Sequence, residues 1–90
     1  MDKTINEKIY VTIIAQFDKY GNIKPLELIW EEGRKFAITQ IHNVCRAAST
    51  KAGGTGYRYT VTIEGQKRNI WLEDIVFKKT IGARWFVEKK

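Results

Sequence analysis

Apolar residues recur at every second position along nearly the whole chain, and that period restricts it to β-strands. Ile9, Val11, Ile13, Ala15 and Phe17 alternate with Tyr10, Thr12, Ile14 and Gln16. Both registers of this first strand hold apolar residues, so it is covered on both faces or lies at a dimer contact. The clearest alternation comes later. Tyr57, Tyr59, Val61 and Ile63 face one way, and Arg58, Thr60, Thr62 and Glu64 the other.

Turn chemistry divides the rest. Asp18 to Asn22 reads as a turn. A second strand runs from Ile23 to Trp30, with Leu26, Leu28 and Trp30 on one face. Pro25 lacks an N–H, which favours an edge or the strand entry. Glu31-Glu32-Gly33 makes a tight hairpin into a third strand that begins at Arg34. Ile41 falls out of phase with Phe36 and Ile38, so a β-bulge is expected near Thr39-Gln40. Ile41, Val44, Cys45 and Ala48 also fit a helical turn, but the strongly β flanks rank strand first. Ser49 to Gly56 reads as a flexible loop. Gly65 and Gln66 turn the chain into Lys67–Phe77, where Ile70 and Leu72 oppose Trp71. Lys78 to Ala83 reads as a loop and Arg84 to Glu88 as a short last strand.

Ninety residues make one domain. Surface scaling gives about 64% of the chain's surface buried on folding, enough for one core without staples. The expected fold is all-β: a single small domain of five or six mostly antiparallel strands curled into an SH3-like barrel, with an OB-like barrel second. Closure removes the exposed edges of an open sheet. Residues 1–7 and 89–90 are expected as flexible ends. No run of 18 apolar residues occurs, and the N-terminal stretch lacks a basic region with a cleavage site, so neither a membrane span nor a secretory leader is expected. Cys45 is the only cysteine, which fits a reducing, cytoplasmic setting.

Charge carries the functional signal. Residues 1–45 hold six Lys and Arg against six Asp and Glu, whereas residues 46–90 hold ten against four, the whole of the net +6. The whole chain has a pI of about 9.6, and its one-sided charge points to a polyanion, although small proteins are also basic for solubility alone. Arg34, Arg46, Lys51, Arg58 and Arg68 are the candidate phosphate contacts, and Trp71 the candidate base-stacking ring. Gly53, Gly54, Thr55 and Gly56 could form an anion-binding nest, but no G-K-[ST] follows the glycines.

Catalytic chemistry has few partners. His42 and Cys45 are three apart, and on a strand they diverge. Two ligands are too few for zinc, so no metal or cofactor is expected. The pairs Glu31-Glu32 and Glu73-Asp74 also diverge on a strand and read as hairpin rims and solvated turns. The expected role is therefore non-enzymatic.

Three stretches resemble a known group. They are Pro25-Leu26 with Ile29 to Phe36, then Arg46-Ala47-Ala48 with Lys51 to Tyr59, and Arg84 to Glu88. Over residues 8–88 the chain resembles a group of small uncharacterised all-β proteins from Gram-positive, mainly clostridial, bacteria. That resemblance implies no catalytic residues. The best expectation is a nucleic-acid-binding small barrel. The alternative is a protein-interaction or homodimerising module, and no membrane partner is expected.

Overall fold

A computed structural model describes residues 7–48, 55–77 and 80–89. Six strands form a closed antiparallel barrel in simple meander order: β1 (Glu7–Phe17), β2 (Ile23–Ile29), β3 (Lys35–Ala48), β4 (Thr55–Ile63), β5 (Gln66–Phe77) and β6 (Thr80–Lys89). The small all-β barrel expected from the alternating pattern is the fold observed. Among the described residues no helix is long and apolar enough to cross a membrane.

The barrel encloses Leu28, Tyr59, Val61, Ile63, Ile70, Leu72 and Trp85, with Val11, Ile13, Phe36, Ile38 and Ile41 packed around them. These are the inward positions of the period-two pattern, and their burial drives closure. The Tyr59 ring meets Trp85 at 5.2 Å, and its hydroxyl donates to the Ile23 carbonyl at 3.0 Å.

The hairpins follow their turn residues. Gly21 and Gly33 both take φ +90°, the left-handed conformation that closes a three-residue loop. Glu64 (φ 51°) and Gly65 (φ 75°) form a two-residue turn whose twist matches the flanking strands. This places the turn one residue earlier than Gly65-Gln66.

β3 explains the helix-like spacing of its sequence. Its register against β4 shifts at Thr39, as expected, and again at His42. Two bulges in succession put Ile38, Ile41 and Val44 opposite Ile63, Val61 and Tyr59, so residues aligned with the inward positions of β4 recur at every third position, of which Ile38 and Ile41 pack on the core and Val44 is exposed. The segment is strand, not helix. The Thr39 hydroxyl donates to the Thr62 carbonyl at 3.3 Å, and His42 Nε2 lies 2.6 Å from Thr62 Oγ1. One residue of β4 thus pins both bulges.

Other expectations are corrected. Ile14 pairs with Glu27 and Ala15 with Pro25, so Leu26 is the extra residue of a bulge and is exposed. Leu26 therefore leaves the face it was expected to share with Leu28, and Pro25 turns inward instead. Thr55 and Gly56 belong to β4, and Thr80 to Ala83 belong to β6, rather than to loops. Glu7 and Lys89, expected in flexible ends, are register partners.

The wall is uneven. β2 meets β3 only through Glu27↔Ala37, Leu28↔Phe36 and Ile29↔Lys35. Residues 23–25 pair with β1 alone, and β3 beyond Ala37 pairs with β4 alone. The barrel therefore splays between β2 and β3, and the Tyr59 hydroxyl takes up a carbonyl there.

Candidate nucleic-acid interface

A meander reverses direction at each strand. The ends of β1, β3 and β5 and the starts of β2, β4 and β6 therefore meet at one end of the barrel. Stretches 17–24, 44–58 and 72–84 make up these strand ends and the links between them. Their described residues hold Lys19, Lys24, Arg46, Arg58 and Arg84 against Asp18, Glu73 and Asp74, and Lys51, Lys78 and Lys79 of the links lie outside the described residues. Among the described residues the charge excess therefore lies at this barrel end.

Exposed aromatics share this end. Phe17 is 72% exposed, Tyr20 79% and Tyr57 38%. Phe17 has the inward parity of Ile13 and Ala15 but is the last residue of β1, paired with Ile23. Tyr20 sits on a tightly bonded turn. Asp18 Oδ1 accepts from the Tyr20 and Asn22 amides at 2.8 and 2.9 Å, and Oδ2 accepts from Asn22 Nδ2 at 3.0 Å. The Asn22 side chain and backbone donors hold the Asp18 carboxyl below its ordinary value. Lys19 Nζ lies 5.3 Å from the Tyr20 ring centroid.

Cations flank these rings. Arg46 pairs in register with Tyr57 and is exposed, as is Lys24 on β2. Arg58 lies on the outer wall between Cys45 and Trp71 in register. It is half-buried, and its Nε is buried without a hydrogen-bond partner among the described residues.

The other candidates from sequence lie elsewhere. Arg34 and Arg68 both line a cleft at the opposite barrel end. Arg34 pairs with Glu32 at 3.4 Å, and Glu31, Glu64 and Glu88 line the same cleft. Arg34 and Arg46 are on the order of 30–40 Å apart by the rise of a strand. Arg34 therefore does not share a surface with Arg46 and Arg58. Trp71 stacks on Phe86 at 5.4 Å with 3° between planes, which covers one of its faces. Lys51, Gly53 and Gly54 lie outside the described residues. Gly56 is part of the β4 ladder opposite Glu73, and a Cβ there would strike the Leu72 carbonyl. Close backbone approach explains that glycine.

Reasoning from sequence missed two features. One is the pair Phe17 and Tyr20, which read as a strand end and a turn. An aromatic beside Lys19 on a turn was the available signal. The other is Glu73, which is buried rather than solvated. It accepts from the Tyr10 hydroxyl at 2.9 Å, Lys8 Nζ at 3.2 Å and Arg84 Nε at 3.2 Å. Burial pushes its carboxyl up, but these donors outweigh that and leave it below the ordinary glutamate value. An ionised carboxylate with three donors is a fastening, not a general base. Among the described residues, no group of three or more His, Cys, Asp and Glu is arranged to hold a metal.

No protein-family model, curated protein or solved structure matches this chain.

Proposed function

We propose that the protein binds single-stranded nucleic acid, without catalysis, at the basic end of its barrel. The observation that carries this is three exposed aromatic rings at the barrel end that also holds Lys19, Lys24, Arg46 and Arg58. Single strands are held by cations that follow the backbone and by ring faces that accept successive bases. Phe17, Tyr20 and Tyr57 are the stacking surfaces. Lys24, Arg46, Lys51 and Arg58 contact phosphate. The tightly bonded Asp18 turn presents Tyr20 in a fixed position and reduces the ordering cost of binding. Cys45, a free thiol, agrees with a cytoplasmic setting.

Fluorescence anisotropy with labelled single-stranded DNA, single-stranded RNA and duplex DNA at two salt concentrations tests this. Binding to a single strand should weaken with salt at about 0.7 logarithmic units per phosphate contact. No binding at low salt, or affinity unchanged by Arg46→Glu with Arg58→Glu, would overturn it.

A second reading is self-association across the splayed β2–β3 seam, favoured by exposed Leu26 and Val44 beside it. Light scattering decides it: a constant monomer mass up to millimolar concentration removes it.

A further inference from the structure

β5 and β6 pair from Phe77↔Thr80 to Trp71↔Phe86 and no further. From there β5 continues to Gln66 beside β4 alone, and β6 continues to Lys89 beside β1 alone. The two strands fork at the barrel end opposite the basic one, with the Trp71–Phe86 stack at the vertex. A cleft of ≈ 980 Å³ lies there, and every residue from Gln66 to Trp71 lines it. Neighbours on a strand face opposite sides. The cleft therefore passes from the barrel mouth, beside Arg68 and Ile70, around the β5 edge to the outer wall, beside Asn69 and Trp71. Its volume is at the upper end of the range of small-molecule sites, and its course suits a chain of several units better than one compact ring.

The lining holds both signs of charge. Glu31, Glu32, Glu64 and Glu88 stand there with Arg34, Lys67 and Arg68. Arg34 pairs with Glu32 at 3.4 Å, and the Arg68 guanidinium donates to the neutral Gln66 side chain at 2.8 Å. A charged occupant of either sign would meet like charge within the same cleft. A purely apolar one would strip water from these groups and return no hydrogen bonds. An uncharged occupant rich in hydroxyls suits them, because a hydroxyl donates to a carboxylate and accepts from a guanidinium, an ammonium or an amide. The fork adds backbone donors and acceptors along the β5 edge, where the ladder to β6 has ended.

The rest of the lining is apolar and includes two half-buried indoles, Trp30 and Trp71. Phe86 stacks on one face of Trp71 and holds that ring in place. The face of an indole is the negative pole of its quadrupole and attracts weakly positive C–H groups. A saccharide ring joins both characters, with hydroxyls around its rim and C–H groups on its faces.

We propose that this cleft binds a neutral oligosaccharide. Trp30 and Trp71 carry its ring faces, and Glu31, Glu64 and Arg68 exchange hydrogen bonds with its hydroxyls. The site lies at the other barrel end from the nucleic-acid surface and does not depend on it.

The probe is a panel of soluble neutral oligosaccharides of the glucose, mannose, galactose, xylose and N-acetylglucosamine series, added to the full chain up to millimolar concentration. Oligomers of uronic acids and of glucosamine are the charged controls, and tryptophan emission is the readout. At least one neutral series should bind more tightly as its chain lengthens, with affinity changing less than about twofold between low and high salt. Glu31→Ala and Arg68→Ala, exposed changes whose folding is checked by an unaltered melting temperature, should each weaken that series at least about tenfold. Trp71→Ala should weaken it as well. Four results overturn the proposal: no neutral series binds, only the charged controls bind, both exposed variants keep wild-type affinity, or emission changes with protein concentration alone. The third would place the saccharide elsewhere, and the last would make the occupant a second copy. Oligonucleotide affinity measured with and without the saccharide separates this outcome from that of the basic end.

Discussion

The Trp71 indole lies parallel to the Phe86 ring, 5.4 Å between centroids, on the outside of the barrel. Phe86 is nevertheless only 3% exposed. Tyr10 meets it edge-on at 5.8 Å, and Lys8 Nζ sits 4.8 Å from its centroid. Strands β5, β6 and β1 thus share a second apolar cluster on their outer face. Phe86→Ala should cost about 3–5 kcal/mol, as for a core aromatic. Trp71→Ala should cost less, because its indole is half-buried. Urea denaturation of both variants checks the order.

Glu73 fastens the same three strands. Glu73→Gln removes the charge that Lys8 and Arg84 share and should cost about 1–3 kcal/mol at neutral pH. The folded carboxyl titrates below its ordinary value of 4.5, so its contribution is present above that pH and is lost as pH falls through the lower folded value. The gap in melting temperature between wild type and Glu73→Gln should therefore close on acidification. Thermal unfolding at several pH values measures it.

Tyr59→Phe leaves the Ile23 carbonyl without its donor at the splayed seam and should cost about 0.5–1.5 kcal/mol. Burial first, and Tyr57 second, push the Tyr59 hydroxyl above 10.0. Its contribution is full below that pH and is lost as pH rises through the folded value. The phenylalanine variant should lose less stability than wild type in alkali, as a pH series of unfolding curves will show.

Gly56→Ala should destabilise by about 1–3 kcal/mol through overpacking, because the new Cβ meets the Leu72 carbonyl of the adjacent strand. Gly82→Ala meets nothing within 4 Å and should be far milder. Comparing their melting temperatures tests whether close approach, rather than an anion nest, explains Gly56.

Replacing Phe17 or Tyr20 by Ala should weaken single-strand binding by about 1–3 kcal/mol each. Arg46→Ala should lower the salt slope by about 0.7. Arg34→Ala and Arg68→Ala, at the other barrel end, should change neither quantity. Anisotropy titrations across a salt series supply both numbers.

Strand identity was legible because inward residues such as Tyr59, Val61 and Ile63 alternate without interruption. It blurred wherever a bulge changed the phase. Leu26 reads as core by parity until one extra residue turns it outward. The third-residue spacing of Ile38, Ile41 and Val44 mimics a helix because two bulges follow each other. Glu73 was illegible for another reason. Its partners Lys8 and Tyr10 are 65 and 63 residues away, and only barrel closure brings them together. The charge excess was visible in sequence, but its sorting by barrel end depends on strand direction. That sorting separates Arg46 and Arg58 from Arg34 and Arg68.

All strand pairings but one join neighbours along the chain; the exception sets Glu7 beside Lys89. Each hairpin can form from short-range contacts, whereas the β1–β6 seam must bear the loop entropy of nearly the whole chain. Closure is accordingly expected as the late step of folding. Substitutions in the seam, such as at Lys8 or Tyr10, act mainly on the unfolding rate, and those in the Glu64-Gly65 turn on the folding rate. The fastening at Glu73 then serves as a latch on an already assembled meander, and its strength sets how long the ring stays shut.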